Sequence, residues 1–193
     1  MMVKVFKMLS ALCMLLCPLA ATAGDMTIGL LYDEGLGARA IFNEKYFAQA
    51  TVGYNVAGAS MPYYAEHHYA SLLVGGGMTV IKTDRLSLNA FVSFKEELRQ
   101  FDTDSTFASD NMTHQRYNVW NSIVRIGVAP EVYITDKFSI EYKIGLQTLW
   151  AGSHYKLNDA RTDTESLKSD YVEFGTFGGF DNIAQNISII YYF

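Results

Sequence analysis

Cysteine and proline are scarce in this chain, and long apolar runs are missing after its first twenty residues. It has two cysteines and three prolines among 193 residues. Cys13 and Cys17 both lie near the start, so the remainder offers no disulfide, reactive thiol or thiolate metal site. Every later apolar run is shorter than the ~20 residues of a helical membrane span. If this chain enters a membrane, it must therefore do so with strands.

Residues 1–23 have the three parts of a secretory signal peptide. Lys4 and Lys7 make a basic start, residues 8–19 form a short apolar core, and a small-residue sequence ends at Ala23. We expect cleavage after Ala23, which leaves residues 24–193 as one exported domain.

A lipoprotein signal is the competing interpretation of the same segment, because both cysteines lie within it. Cys13 and Cys17 each follow a leucine where that signal has a small residue, and Pro18 follows Cys17 directly. Cleavage after Ala23 is therefore favoured.

Basic residues are also in the minority. The chain has 15 Lys and Arg against 20 Asp and Glu, and loss of Lys4 and Lys7 with the signal takes its net charge from −5 to −7. An acidic exported protein is poorly suited to a phosphate backbone, so we expect no nucleic-acid partner.

One short pattern recurs three times in the mature chain. An apolar strand end, a tight polar turn with an acid beside a base, and a new alternating strand occur within residues 41–47, 80–88 and 133–140. Longer polar segments, 57–68, 101–116 and 158–182, separate these turns, and we expect them to be loops. Within the last of them, Tyr171–Phe180 alternates weakly and either extends the barrel above the membrane or belongs to the loop. Short turns at one end and long loops at the other are typical of an outer-membrane barrel.

The segments between turns alternate apolar and polar residues, which predicts eight antiparallel strands. The first two are shorter than the usual ~9–11 residues of a membrane strand. The predicted strands are Met26–Tyr32, Leu36–Phe42, Tyr46–Val56, Tyr69–Ile81, Leu86–Glu97, Tyr117–Ile134, Phe138–Tyr155 and Ile183–Phe193.

The last predicted strand is apolar on one face up to the final residue. Ile187, Ile189, Tyr191 and Phe193 alternate with a mixed, partly polar face. This ending resembles the C-terminal strand of bacterial outer-membrane β-barrels. The resemblance implies that Tyr191 and Phe193 belong to a signal read by the outer-membrane barrel-assembly machinery.

Aromatic residues mark both ends of the apolar face. Twelve residues separate Phe138 from Trp150, roughly 40 Å along a strand and ~30 Å of height at a ~40° tilt, close to the apolar band and its two aromatic girdles. The predicted girdle residues are Tyr46, Tyr54, Phe94, Trp120, Phe138 and Trp150.

The opposite face carries isolated ions of both signs among glycine and small polar residues. A soluble lipocalin-type barrel would turn this face to water and fill its centre with the apolar one. Sparse charges of both signs suit a narrow, hydrogen-bonded interior better than a soluble surface. The predicted interior ions are Arg39, Lys95, Arg125, Glu131, Glu141 and Lys143.

Four histidines, His67, His68, His114 and His154, fall in or beside the polar segments. Some eight-stranded outer-membrane barrels are lipid-modifying enzymes that use a histidine with a serine or carboxylate at the outer rim. Ordinary solvated loop residues are the preferred interpretation here, because neither an enzyme motif nor metal-ligand spacing accompanies them. We therefore expect no enzyme activity, no cofactor and no metal.

As a pattern, the whole mature chain resembles small eight-stranded transmembrane barrels of the OmpA/OmpX type. The resemblance implies a monomeric protein of the Gram-negative-type outer membrane, surrounded by lipid. The expected role is structural or surface-interacting and not enzymatic. A narrow channel for small solutes and a lipid-modifying enzyme are the two alternatives.

Overall fold

The fold was obtained as a computed structural model. It describes residues 25–61, 63–106, 112–159, 162–178 and 186–193. Side chains are described over the slightly narrower ranges 25–55, 67–102, 116–154, 168–178 and 186–193. The expected signal peptide, residues 1–23, lies outside the described residues.

Ten antiparallel strand segments make up nearly all of the described chain. None of the described residues belongs to a helix that is long and apolar enough to cross a membrane. The segments are β1 Met26–Tyr32, β2 Leu36–Phe42, β3 Tyr46–Met61, β4 Tyr63–Lys82, β5 Leu86–Thr106, β6 Met112–Thr135, β7 Phe138–Tyr142, β8 Ile144–Asp159, β9 Thr162–Phe177 and β10 Ile187–Tyr192.

These ten segments form eight barrel strands. Only Lys143 separates β7 from β8, and both pair with β6. β9 pairs with β8 while β10 pairs with β7, so β9 and β10 follow each other along one position of the wall. The expected closed, eight-stranded, antiparallel up-and-down barrel is confirmed.

The barrel closes where the last segment meets the first. Gly29–Tyr32 of β1 pair with Ile189–Tyr192 of β10. The amide of Phe193 extends this seam by donating to the carbonyl oxygen of Ile28 at 3.0 Å. Closure leaves β1 and β10 with no free edge along the seam, as the apolar C-terminal sequence requires.

The three predicted short turns lie on one rim. Asn43 and Glu44 adopt positive φ angles of 50° and 54° in the turn between β2 and β3. Thr83 closes the turn before β5 by donating its amide to the carbonyl oxygen of Leu86 at 2.7 Å. Each turn reverses the chain in three or fewer residues, so these strand ends stay in register.

The expected long loops are wrong over much of their length. β3 continues to Met61, β4 begins at Tyr63, and β5 ends at Thr106. β9 occupies most of the segment 158–182. Polar residues join these ladders because strand pairing uses backbone groups, whereas apolar alternation reports only burial. The last strand also begins later than predicted: β10 starts at Ile187, and residues 183–185 lie outside the described residues.

A layer of phenylalanines crosses the barrel near its middle. Phe47, Phe91 and Phe177 are buried together, and glycines occupy lumen-facing positions of intervening strands. A β-carbon added at Gly77 would lie 2.1 Å from the carbonyl oxygen of Ala90 and 2.7 Å from the Phe47 ring. The rings fill the lumen because the intervening strands have glycine, which has no side chain, at this level.

Gly77 and Gly175 provide a matched test of this packing. Gly175 has no heavy atom within 4 Å of an added β-carbon. We expect Gly77→Ala to lower the temperature at which the folded, fast-migrating gel band converts to the unfolded band, and Gly175→Ala to leave it nearly unchanged. The measurement is electrophoresis of detergent-extracted protein after heating across a temperature series. Equal shifts for both variants, or a wild type without a heat-sensitive band, would contradict the packed closed barrel.

Candidate functional site

The structure places all six predicted interior ions inside the barrel. They are buried on strands that otherwise have apolar outer faces, because alternate side chains point to opposite sides of the wall. They are Arg39, Lys95, Arg125, Glu131, Glu141 and Lys143, with exposures between 0% and 9%.

Arg39 is the centre of a lower ionic layer, next to the short-turn rim. Its guanidinium donates to both carboxylate oxygens of Glu141, at 2.7 and 3.0 Å, and to the side-chain oxygen of Gln49 at 2.6 and 3.0 Å. Glu131 lies 3.8 Å away on the other side. A two-point guanidinium–carboxylate contact fixes geometry as well as charge.

Glu131 is satisfied mainly by neutral donors. The hydroxyl of Tyr192 donates to it at 2.8 Å, the amide of Asn89 at 3.0 Å and the hydroxyl of Ser87 at 3.1 Å, with a further short bond from Ser139. Four donors compensate for the water that this carboxylate loses on burial. Tyr192 lies on the mixed face of the final strand, so that face points into the lumen.

A small cavity lies between this layer and the short-turn rim. Its volume is about 20 Å³, and Arg39, Glu131 and Tyr133 contribute to its lining. A space of that size holds about one water molecule. It therefore offers no continuous path for ions or solutes.

The phenylalanine layer separates the lower ions from an upper ionic layer. Each of its rings has a cation over its face, an arrangement that the negative ring face favours. The pairs are Arg39 over Phe47 at 4.6 Å, Lys143 over Phe91 at 5.9 Å and Arg125 over Phe177 at 5.2 Å.

Lys95 and Arg125 form the upper layer with two carboxylates. The ammonium of Lys95 contacts Glu97 at 2.6 Å and also pairs closely with Glu34. Arg125 lies 3.4 Å from the second oxygen of Glu34 and donates to Gln147 at 3.2 Å. Glu34 thus bridges two cations from the neighbouring strands β5 and β6.

The turn between β1 and β2 supplies this bridge. Asp33 is 2% exposed and pairs with Lys143, while the hydroxyl of Thr51 donates to its backbone oxygen at 3.3 Å. Glu34 adopts a φ of 54°, which turns the chain over the lumen. The predicted interior ions include neither Asp33 nor Glu34, because alternation assigns no direction to a turn residue.

With the turn included, the lumen charges nearly balance. The four cations face five carboxylates: Asp33, Glu34, Glu97, Glu131 and Glu141. Buried charges are tolerated when they are paired and hydrogen-bonded. The arrangement is a plug, with every ion held by a partner on another strand or on the turn.

The predicted girdle residues all lie on the outward face. Tyr46, Tyr54, Trp120 and Trp150 are 50%, 70%, 43% and 38% exposed, and Phe94 and Phe138 are half-buried by their neighbours. At the C-terminus, Tyr191 and Phe193 are also outward and stack edge to face with ring centres 5.6 Å apart.

The histidines are not brought together on one face. His67 is on the lumen side of β4, where its ring stacks on Phe101 at 4.3 Å. His68 and His154 lie on the outward side of β4 and β8, and the side chain of His114 lies outside the described ranges. Within the described part of the chain, no group of three or more His, Cys, Asp and Glu side chains is placed to hold a metal ion.

No protein-family model matches this chain, and no curated protein sequence matches it. Function is therefore inferred from the lumen and the outer surface of the barrel.

Arg39 and Lys82 separate the effect of a buried ion pair from that of an exposed one. Arg39→Met removes the cation beside Glu131 and leaves Glu141 with only the more distant Lys143 at 3.8 Å, so we expect the free energy of unfolding to fall by about 3–5 kcal/mol. Lys82→Met breaks an exposed 3.3 Å pair with Glu44 and should cost about 0–1 kcal/mol. Urea unfolding of lipid-reconstituted protein measures both. Similar losses in the two variants would show that the lower layer does not carry the stability assigned to it.

Proposed function

We propose that this protein is an integral outer-membrane β-barrel with a structural or surface-interacting role and no enzymatic activity. One observation carries the proposal: the ions are inside and the large apolar side chains are outside. Leu146, Ile126 and Val92 are 61%, 59% and 53% exposed on the outer face, whereas Arg39 and Glu141 are nearly inaccessible. A soluble barrel has the opposite arrangement.

Lipid is the environment that suits this outer surface. A contiguous apolar belt of this extent is rare on soluble proteins and leads to aggregation in water. Aromatic side chains at both ends of the belt suit the two interfaces of a bilayer. Outer-membrane lipid is therefore the proposed partner of the belt, with the short-turn rim on the periplasmic side.

Assembly and localisation follow from the same placement. An exported barrel reaches the outer membrane through the periplasm, and the exposed Tyr191 and Phe193 are the proposed contact with the barrel-assembly machinery. The closed seam between β1 and β10 needs no second subunit, which supports a monomer.

Tryptophan fluorescence tests the membrane placement. Trp120 and Trp150 are the two tryptophans of the chain, and both belong to the girdle away from the short turns. In vesicles, we expect lipids brominated near the headgroup to quench this fluorescence more than lipids brominated near the bilayer centre. The single-tryptophan variants Trp120→Phe and Trp150→Phe should behave alike. Absence of quenching, or a mature protein freely soluble without detergent, would contradict membrane insertion.

Bilayer conductance tests the plug against the channel alternative. Two ionic layers and the phenylalanine layer fill the lumen, so the reconstituted wild type should show little conductance and no stable large open state. Asp33→Asn combined with Glu34→Gln should also remain poorly conducting, because the lower ionic layer and the three rings stay in place. A long-lived, large open state of the wild type in planar bilayers would instead favour the channel.

A further inference from the structure

The first two strands are too short to complete the wall. β1 and β2 have seven residues each, which cover about 18 Å of height at a ~40° tilt, less than the ~25 Å apolar band. By contrast, β3 has 16 residues and β6 has 24. Above the turn at 33–35, six of the eight wall positions continue as strands among the described residues.

Two strand edges consequently face this missing part of the wall. β2 pairs with β3 only as far as Val52, whereas β3 continues to Met61. On the other side β9 pairs with β8 alone among the described strands. No pairing joins β3 to β9 within the described ranges.

Exposure along β9 shows that the lumen is open at this place. Residues 168–176 are exposed on both faces of the strand. Glu173 is on the same rung as Leu149 and Ile123, and all three face the lumen. Ile123, on a strand paired at both edges, is only 8% exposed. The space beside Gly175 is empty.

Apolar side chains surround the opening. Phe174, Leu36 and Tyr54 are 77%, 75% and 70% exposed, the three highest values among the large apolar side chains of the described residues. They come from the three elements that border the gap: β9, the start of β2 and the part of β3 beyond its pairing with β2. Phe174 and Tyr54 each lack a neighbouring strand on one side, whereas Leu36, the first residue of β2, lies directly below the gap and pairs on both sides.

The opening lies at the level of the apolar belt. Phe174 is opposite Thr148, one outward position before Trp150 along β8. Unpaired backbone is tolerated at membrane depth only where protein covers it or where it lines a water-filled cavity. Behind the gap, the ionic layer of Glu34, Lys95 and Arg125 forms the floor of the upper lumen, which supplies such a polar space.

We propose that this gap is a lateral portal through which an amphiphilic lipid of the outer leaflet enters, with its acyl chain on the apolar rim and its polar head in the upper lumen. The portal rests on the proposed membrane function, since the belt places its rim in lipid. Continuity of Phe174, Leu36 and Tyr54 with that belt favours lipid as the occupant.

The β9 edges of two copies do not pair with each other. Two copies with the same orientation in one membrane are related by an axis along the bilayer normal, so their β9 strands both descend. Antiparallel edge pairing needs strands of opposite direction. The ascending β3 edge of a second copy and an extended segment of another polypeptide are the remaining competitors, and the test below distinguishes both from lipid.

Single cysteines carrying a small fluorophore provide the test, because the mature chain has no cysteine of its own. Glu173→Cys reports on the portal, and Tyr171→Cys is a second reporter on the same face of β9. Val119→Cys, lumen-facing on the fully paired β6, is the lumen control. Leu146→Cys is the lipid control. Each labelled protein is reconstituted in phosphatidylcholine vesicles. Quenching of its fluorescence is then measured with lipid carrying a nitroxide on the upper acyl chain, or with iodide in the water.

We expect the labels at positions 173 and 171 to be quenched by both agents. Their quenching by nitroxide lipid should be comparable to that at position 146 and several-fold greater than that at position 119, where iodide alone is effective. Quenching by iodide alone at 173 and 171 would mean a slit that excludes lipid, and protection from both would mean a polypeptide cover. Either result overturns the portal while the membrane function stands. Loss of lipid quenching at position 146 would overturn the membrane placement itself.

Discussion

Pairing of charges inside a narrow barrel is the constraint on which this structure depends. Eight strands enclose only enough room for side chains, so each ion in the lumen must find its partner on another strand. Arg39 does so with Glu141, whereas Lys95 pairs with Glu34 of the β1–β2 turn and with Glu97 of its own strand. The contacts of Arg39 with Glu141 and of Lys95 with Glu34 link parts of the wall that are distant in the chain, and they stabilise the closed form in addition to the backbone ladders.

The short hairpin of β1 and β2 has two consequences for function. Its turn lies at mid-height in the barrel, so Asp33 and Glu34 are level with the lumen cations and pair with them. A longer hairpin would place these two carboxylates above the cations. For the same reason, the described part of the chain supplies no strand at two wall positions above the turn, and the edges of β3 and β9 are left apart. The shortness of this hairpin thus places ion-pairing groups inside the lumen and leaves an opening in the side of the wall above them.

Much of the wall was predictable from the alternation of apolar and polar residues, and the errors of that prediction have one cause. Arg39, Lys95 and Glu141 were assigned to the lumen because each lies on the face opposite the apolar residues with which it alternates, and the structure buries all three. Glu34 was missed, because a turn residue has no alternating neighbours to fix its direction. Residues 162–170 of β9 were missed as strand and its continuation from Tyr171 was left open, because this segment is largely polar and its ladder depends on backbone bonds to β8.

The sequence by itself determined the strand periodicity, the three short turns, the outward apolar belt and six of the inward ions, because these depend on residues close together in the chain. Only the tertiary structure decided which ions pair, how far each strand continues and where the wall stays open. Those outcomes depend on register and closure, which bring Asp33 to Lys143 and Glu34 to Arg125 across more than 90 residues. The alternation of residues along one strand does not specify its partner strand or its register, because several pairings are compatible with the same alternation until the barrel closes.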